Sequence, residues 1–164
     1  MESGDLDRAL LRLSCESPAL GNALIAVESC LERESYDEAL EALTRILRDD
    51  STLPPAWEFL VHFYLGQALF RREAARKPRM RKIDEAIMHL GISIVHEADF
   101  MDARLMRGLA YMLKARMGES PLPLWRAAQE DFKPVMDRGS GYQQRFARER
   151  SNSIDEAMSH LQSR

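Results

Sequence analysis

Four histidines, two cysteines and one dense run of basic residues are the parts of this 164-residue chain that could carry chemistry. His89 and His96 fall on one predicted helix with Glu85 a turn earlier, so one face offers up to three metal donors. The two imidazoles are nearly two turns apart, roughly 10 Å along the axis, which is too far to share one zinc ion. His62 lies in a mainly apolar stretch, where a histidine is more often a packed or groove-lining residue than a base. No serine, cysteine or aspartate stands in a nucleophile motif, and no glycine-rich phosphate loop occurs. The expectation is a non-enzymatic protein with neither metal nor cofactor. Cys15 and Cys30 read as small apolar residues in a reducing compartment, since two thiols in a helical context do not make a disulfide framework.

The basic run comprises Arg71, Arg72, Arg76, Lys77, Arg79, Arg81 and Lys82, interrupted by a single acid, Glu73. Such a tip would attract nucleic acid, an acidic partner, or the acidic amino-terminal half of a second copy. No tyrosine, phenylalanine or tryptophan interleaves the bases, so sequence-specific single-strand binding is the least favoured reading, and nucleic-acid or acidic-partner binding through the tip at 71–82 stays an alternative. A solvated hairpin end is the simplest account of the run. The net charge of -3 conceals a gradient, with acids concentrated before residue 60 and bases after it. Homodimerisation through these opposed halves is one reading. The amino terminus has no apolar leader core and no run is long enough to span a bilayer, so a cytoplasmic location is expected.

The elements that must position these residues are all helical. Leu6, Ala9, Leu10 and Leu13 form one stripe and predict a short amphipathic helix over residues 4–15 that caps or docks on the rest. Ser17-Pro18 opens a second helix to about residue 33, and a third covers 36–49. Pro54-Pro55 precede a long helix from Ala56 to about residue 77, which Pro78 ends. Further helices are expected over 81–97, 102–117 and 123–137, the last kinked at Pro134. Arg138-Gly139-Ser140-Gly141 is a break, and a carboxy-terminal helix follows. There the pattern Ser153-Ile154-Asp155-Glu156 fits a capping box that would split it. No segment alternates with period two, so the fold class is all-α without a sheet.

Tyr36-Asp37-Glu38-Ala39-Leu40, then Ala56-Trp57, Leu60, Val61 and Tyr64, follow the order of a tetratricopeptide repeat. Ile83-Asp84-Glu85-Ala86-Ile87 repeats the grammar, as does Ala103 followed by Gly108 and Tyr111. Ala39, Ala86 and Ala128 each precede a large apolar residue by one turn, Leu43, Leu90 and Phe132. The chain thus resembles the tetratricopeptide family over roughly residues 18–140, with about 13 and about 8 extra residues in the second and third units of a nominally 34-residue repeat. The resemblance implies a stack of antiparallel helical hairpins: 18–53, 54–100 with an insertion at 66–82, and 101–140. Residues 4–15 flank it on one side, and a capping helix over 141–164 closes a single domain.

The resemblance also implies a protein-binding groove lined by the first helix of each unit. Here that groove would present Leu24, Glu28 and Leu31, then Glu58, His62 and Leu65, then Leu105, Leu109 and Met112. Two readings of it stay open: an apolar groove for a peptide or partner helix, or a surface filled by a terminal helix of the chain itself. The chaperone-tail carboxylate clamp of the family is disfavoured, because Leu24, Glu28, Phe59, Asp102 and Met106 occupy the places of its polar residues. A bacterial type III secretion chaperone is an alternative, similar in size and groove but without long insertions.

Overall fold

The computed structural model describes residues 5–49, 53–118 and 120–163. Among them are eight α-helices and no strand: α1 Asp5–Glu16, α2 Pro18–Glu32, α3 Tyr36–Arg48, α4 Glu58–Ala74, α5 Met80–His96, α6 Met101–Met117, α7 Pro121–Arg138 and α8 Gly141–Gln162. Proline sets several of the starts, because its missing N–H is no loss in a first turn and its fixed φ suits a helix. Pro18 opens α2 and Pro121 opens α7. The Pro-Pro step produces a short 3-10 turn, Pro55–Trp57, before α4, so the long helix starts later than Ala56. Between α2 and α3 the chain turns within residues 33–35, and Glu34 takes φ 60 there, a left-handed conformation unusual for a residue with a Cβ.

The helices pair as hairpins α2/α3, α4/α5 and α6/α7, and each packs on the next. Contacts also run between α2 and α4, α4 and α6, and α6 and α8, so the even-numbered helices form one layer and α3, α5 and α7 the other. The second and third hairpins are longer than the first: α4, α5 and α6 have 17 residues and α7 has 18, against 15 and 13 for α2 and α3.

Both long hairpins close on the same device. Gly66 of α4 lies so near α5 that a Cβ there would stand 2.5 Å from Leu90 Cγ and 3.0 Å from the Ala86 carbonyl oxygen. Gly108 of α6 lies against α7 in the same way, a Cβ there meeting the Phe132 ring at 2.4 Å. The same number of residues separates the partners in each pair. A bare backbone on one helix thus receives the large side chain of the other, the close approach that ridge-and-groove packing needs.

Two apolar clusters result. The larger joins α1–α4 to Leu90, Ile94, Phe100 and Ala103, with Leu13, Leu24, Leu43, Leu60 and Tyr64 fully enclosed. The smaller gathers Leu105 and Met112 of α6, Phe132 and Val135 of α7, and Ala147 and Ile154 of α8. Helix α7 runs through Pro134 to Arg138, as expected of that stretch. Two details of α8 differ from the sequence-based expectation. Helix α8 is unbroken, because the Ser153 hydroxyl donates to the Glu149 carbonyl within the helix and does not cap a new one. The capping box sits instead at the start of α8, where Ser140 and Gln143 satisfy each other's backbone N–H.

Candidate functional site

Helix α1 has its stripe on one side: Leu10 and Leu13 are buried, Leu6 and Ala9 pack at the margin, and Leu11 faces solvent. It lies across the even layer, packing on α2 and α6 and on the residues that open α4. At its carboxy-terminal end, Gly21 of α2 lets the Ser14 backbone approach closely. There too the Trp57 Nε1–H donates to Glu16 at 3.2 Å, and the Arg12 guanidinium lies over the Trp57 ring at 5.4 Å from its centroid.

At its amino-terminal end two acids are exchanged. The Leu6 backbone N–H donates to Asp102 Oδ2 at 2.9 Å, and the Met101 backbone N–H donates to Asp5 Oδ2 at 3.2 Å. Each acid therefore satisfies a first-turn N–H of the other helix, one of the groups a helix cannot satisfy internally. Gln143, the buried third residue of α8, adds an Nε2–H bond to Asp102 Oδ1 at 2.8 Å, so one carboxylate ties α1, α6 and α8 together. Burial pushes the Asp102 carboxyl above its ordinary pKa; the bonds from Gln143 and Leu6 oppose this, while the nearby Asp5 and Asp7 reinforce it. An open cleft of about 510 Å³ runs beside α1, bounded by Arg8, Arg12, Trp57, Phe59, His96 and Phe100.

The nine residues expected to line an open groove are mostly enclosed. Leu24, Leu31, His62, Leu65, Leu105 and Met112 are buried, and Leu109 packs at the edge of the smaller cluster. Leu24 shares its cluster with Leu10 and Leu13. Glu28 accepts a hydrogen bond from the Tyr64 hydroxyl at 2.7 Å, and Glu58 reaches the His62 ring at 3.6 Å. Substitution of these leucines by charge would test the core, not a binding surface.

The histidines of α4 and α5 form a pair that spacing along one helix does not show. His89 meets His62 across the α4/α5 interface, their Nδ1 atoms 2.8 Å apart and their rings stacked at 5.1 Å. One ring donates its N–H and the other accepts, so both cannot be imidazolium at once. Burial lowers the pKa of both, and each neighbours another histidine: His96 for His62 and His62 for His89. Glu85 is taken up by Lys82 and Arg81. Among the described residues no group of three or more His, Cys, Asp or Glu is placed to hold a metal ion.

The basic run is largely paired within the chain. Buried Glu73 accepts from the Arg79 backbone N–H at 2.9 Å, from Arg79 Nη2 at 2.7 Å and from Arg72 Nε at 3.3 Å. These bonds, those from Arg79 above all, hold its pKa down to about 2. Arg72 also bonds Asp37 of α3 at 2.7 Å, and Arg76 donates to the Arg72 carbonyl. Arg71 and Lys77 have no acidic partner among the described residues. The lone acid inside the run thus organises the 75–79 turn.

Sequence reasoning missed the Asp5 and Asp102 exchange and the His62 and His89 pair, since neither leaves a local spacing to find. The stripe of α1 was visible, but not the face it chooses. Among the described residues, no helix is long and apolar enough to cross a membrane. No protein-family model matches the chain, and no curated protein or solved structure matches it.

Proposed function

We propose that the chain is a non-enzymatic protein-binding module, built of tetratricopeptide-like hairpins, that receives an amphipathic helix on the layer formed by α2, α4 and α6. One observation carries this reading: that layer already holds such a helix, α1, by an apolar stripe and by polar contacts at both ends. Helix-in-groove recognition uses this combination of i, i+3, i+4 and i+7 anchors with end contacts. The repeated glycine contacts of Gly66 and Gly108 support a stack of like units. The internal pairing of the basic run gives no comparable support to an acidic or nucleic-acid partner at residues 71–82.

The experiment is affinity capture from lysate with a photo-crosslinking residue at position 56, exposed on the cleft rim beside α1, or at position 149, exposed on α8. Crosslinks from position 56 and not from 149 are expected. A partner crosslinked only from 149 would move the interface to the other end of the molecule. A captured partner that is unstable alone and destined for secretion would turn the adaptor into a secretion chaperone using the same face.

A further inference from the structure

We infer that α1 is a built-in competitor for the partner site, and that the partner is a helix of the same design: an acid in its first turn followed by apolar residues at the spacing of Leu6, Leu10 and Leu13. This rests on the binding reading above and goes beyond it by naming the recognition chemistry and its regulation. The polar contacts define the ligand. The Met101 N–H at the start of α6 needs an acceptor that α6 does not supply, since Phe100 precedes it and no side chain caps this end. Asp5 fills that role, while Asp102 receives a first-turn N–H of the incoming helix. Any amphipathic helix opening on an acid offers both complementary groups, whereas one opening on a base or a neutral residue leaves Met101 uncapped.

Several features make α1 exchangeable. It lies outside the three hairpins, although it packs on α2 as extensively as α3 does. It joins α2 through Ser17 alone, whose N–H donates to the Leu13 carbonyl and whose carbonyl accepts from the Gly21 N–H, and Pro18 presets the start of α2. Its 12 residues are marginal for an isolated helix in water, so its order depends on the surface beneath. Its fully enclosed anchor is Leu13, with Leu10 at the margin of burial. The open cleft along its edge gives an invading helix a place to begin. A site whose competent state is only fractionally populated binds its ligand in proportion to that fraction, so loosening α1 should raise affinity.

The test uses the full-length protein and a fluorescein-labelled synthetic peptide of residues 5–16, with binding read by anisotropy. Leu13→Ala loosens α1 without touching α6, and Asp5→Ala does so from the other end and leaves the core intact. Each variant is first confirmed as folded by circular dichroism. The peptide should bind weakly to wild type and about tenfold or more tightly to either folded variant. An unrelated amphipathic helix lacking a first-turn acid should bind markedly less well. Equal binding of both helices would overturn the acid-first recognition while leaving a helix-accepting face. Failure of the folded variants to bind either helix would overturn self-competition, and the partner-binding reading would then stand or fall on the crosslinks from position 56.

Discussion

Asp5 and Asp102 exchange helix caps: each carboxylate accepts the N–H that opens the other's helix, through Met101 and Leu6 respectively. Far apart in sequence, they bring the start of α1 onto the start of α6. The arrangement explains why a helix with only two well-buried side chains takes a defined place on a layer of several others. Apolar contact alone would leave α1 free to slide, whereas two charge-assisted bonds of opposite direction fix both position and polarity.

Removal of the Asp102 side chain should be felt in three helices. Asp102→Ala leaves the Leu6 N–H and the Gln143 amide without their acceptor, a loss of about 1–3 kcal/mol. Urea denaturation of wild type and variant measures it. The ionised form is disfavoured by burial, so its penalty should ease as pH falls through the raised pKa toward the unfolded value of 3.8. Asp102→Ala should lose that acid-side gain.

The His62 and His89 pair predicts the opposite slope near neutrality. Burial lowers both pKa values, so below pH 6.5 the unfolded chain takes up protons that the folded pair refuses. Stability from this pair is complete above about pH 7 and is lost as pH falls. Melting temperatures between pH 7.5 and 5.5 should decline in wild type, and the decline should flatten in a His62→Phe, His89→Leu double variant. An unchanged slope would contradict this account of the pair.

Glu73 makes a prediction about local order. Its lowered pKa means that its contribution is present above the unfolded value of 4.5 and lost as pH falls toward about 2. Glu73→Ala leaves the Arg79 N–H without its acceptor and releases Arg72 and Arg79, so trypsin should cut after Arg76 or Arg79 faster than in wild type at pH 8, the bond after Lys77 being blocked by Pro78. Equal cleavage rates would mean that the turn is held by its helices alone.

Three glycines should respond differently to one added methyl. Gly66→Ala and Gly108→Ala press a Cβ into Leu90 and Phe132, an overpacking that destabilises by roughly 1–3 kcal/mol. Gly91 on α5 has only an Arg107 guanidinium nitrogen at 3.4 Å, and Gly91→Ala should stabilise by up to about 1 kcal/mol through helix propensity. Thermal unfolding of the three variants would separate them by sign.

Much of the helical plan was legible because punctuation in this chain is strong. Pro18, Pro54-Pro55, Pro78 and Gly139 to Gly141 sit at or near element ends, and apolar periodicity fills the intervals. Ala39, Ala86 and Ala128 were recognisable as close-contact positions, and all three are fully buried. The candidate site was harder to read. A stripe such as Leu6, Leu10 and Leu13 states that a helix has a face, not which surface it covers. The groove residues were chosen by their place in a repeat, and a repeat cannot tell that Leu24 is already covered. His62 and His89 meet across two helices, and spacing along one helix carries no sign of such a pair. Ser153 was read as a cap because its local pattern permits one, but packing of Ala147 and Ile154 into a common cluster keeps α8 continuous through it.

The most direct test of the account is amide hydrogen exchange at Leu6 and Met101. Both are first-turn residues with no acceptor within their own helices, and among the described residues their acceptors are the partner acids. Protection of both amides is expected in wild type, with Leu6 losing it in Asp102→Ala and Met101 losing it in Asp5→Ala. Exchange of Leu6 in wild type at the rate of an open chain would contradict the seating of α1 on the even layer, and with it the proposed partner site.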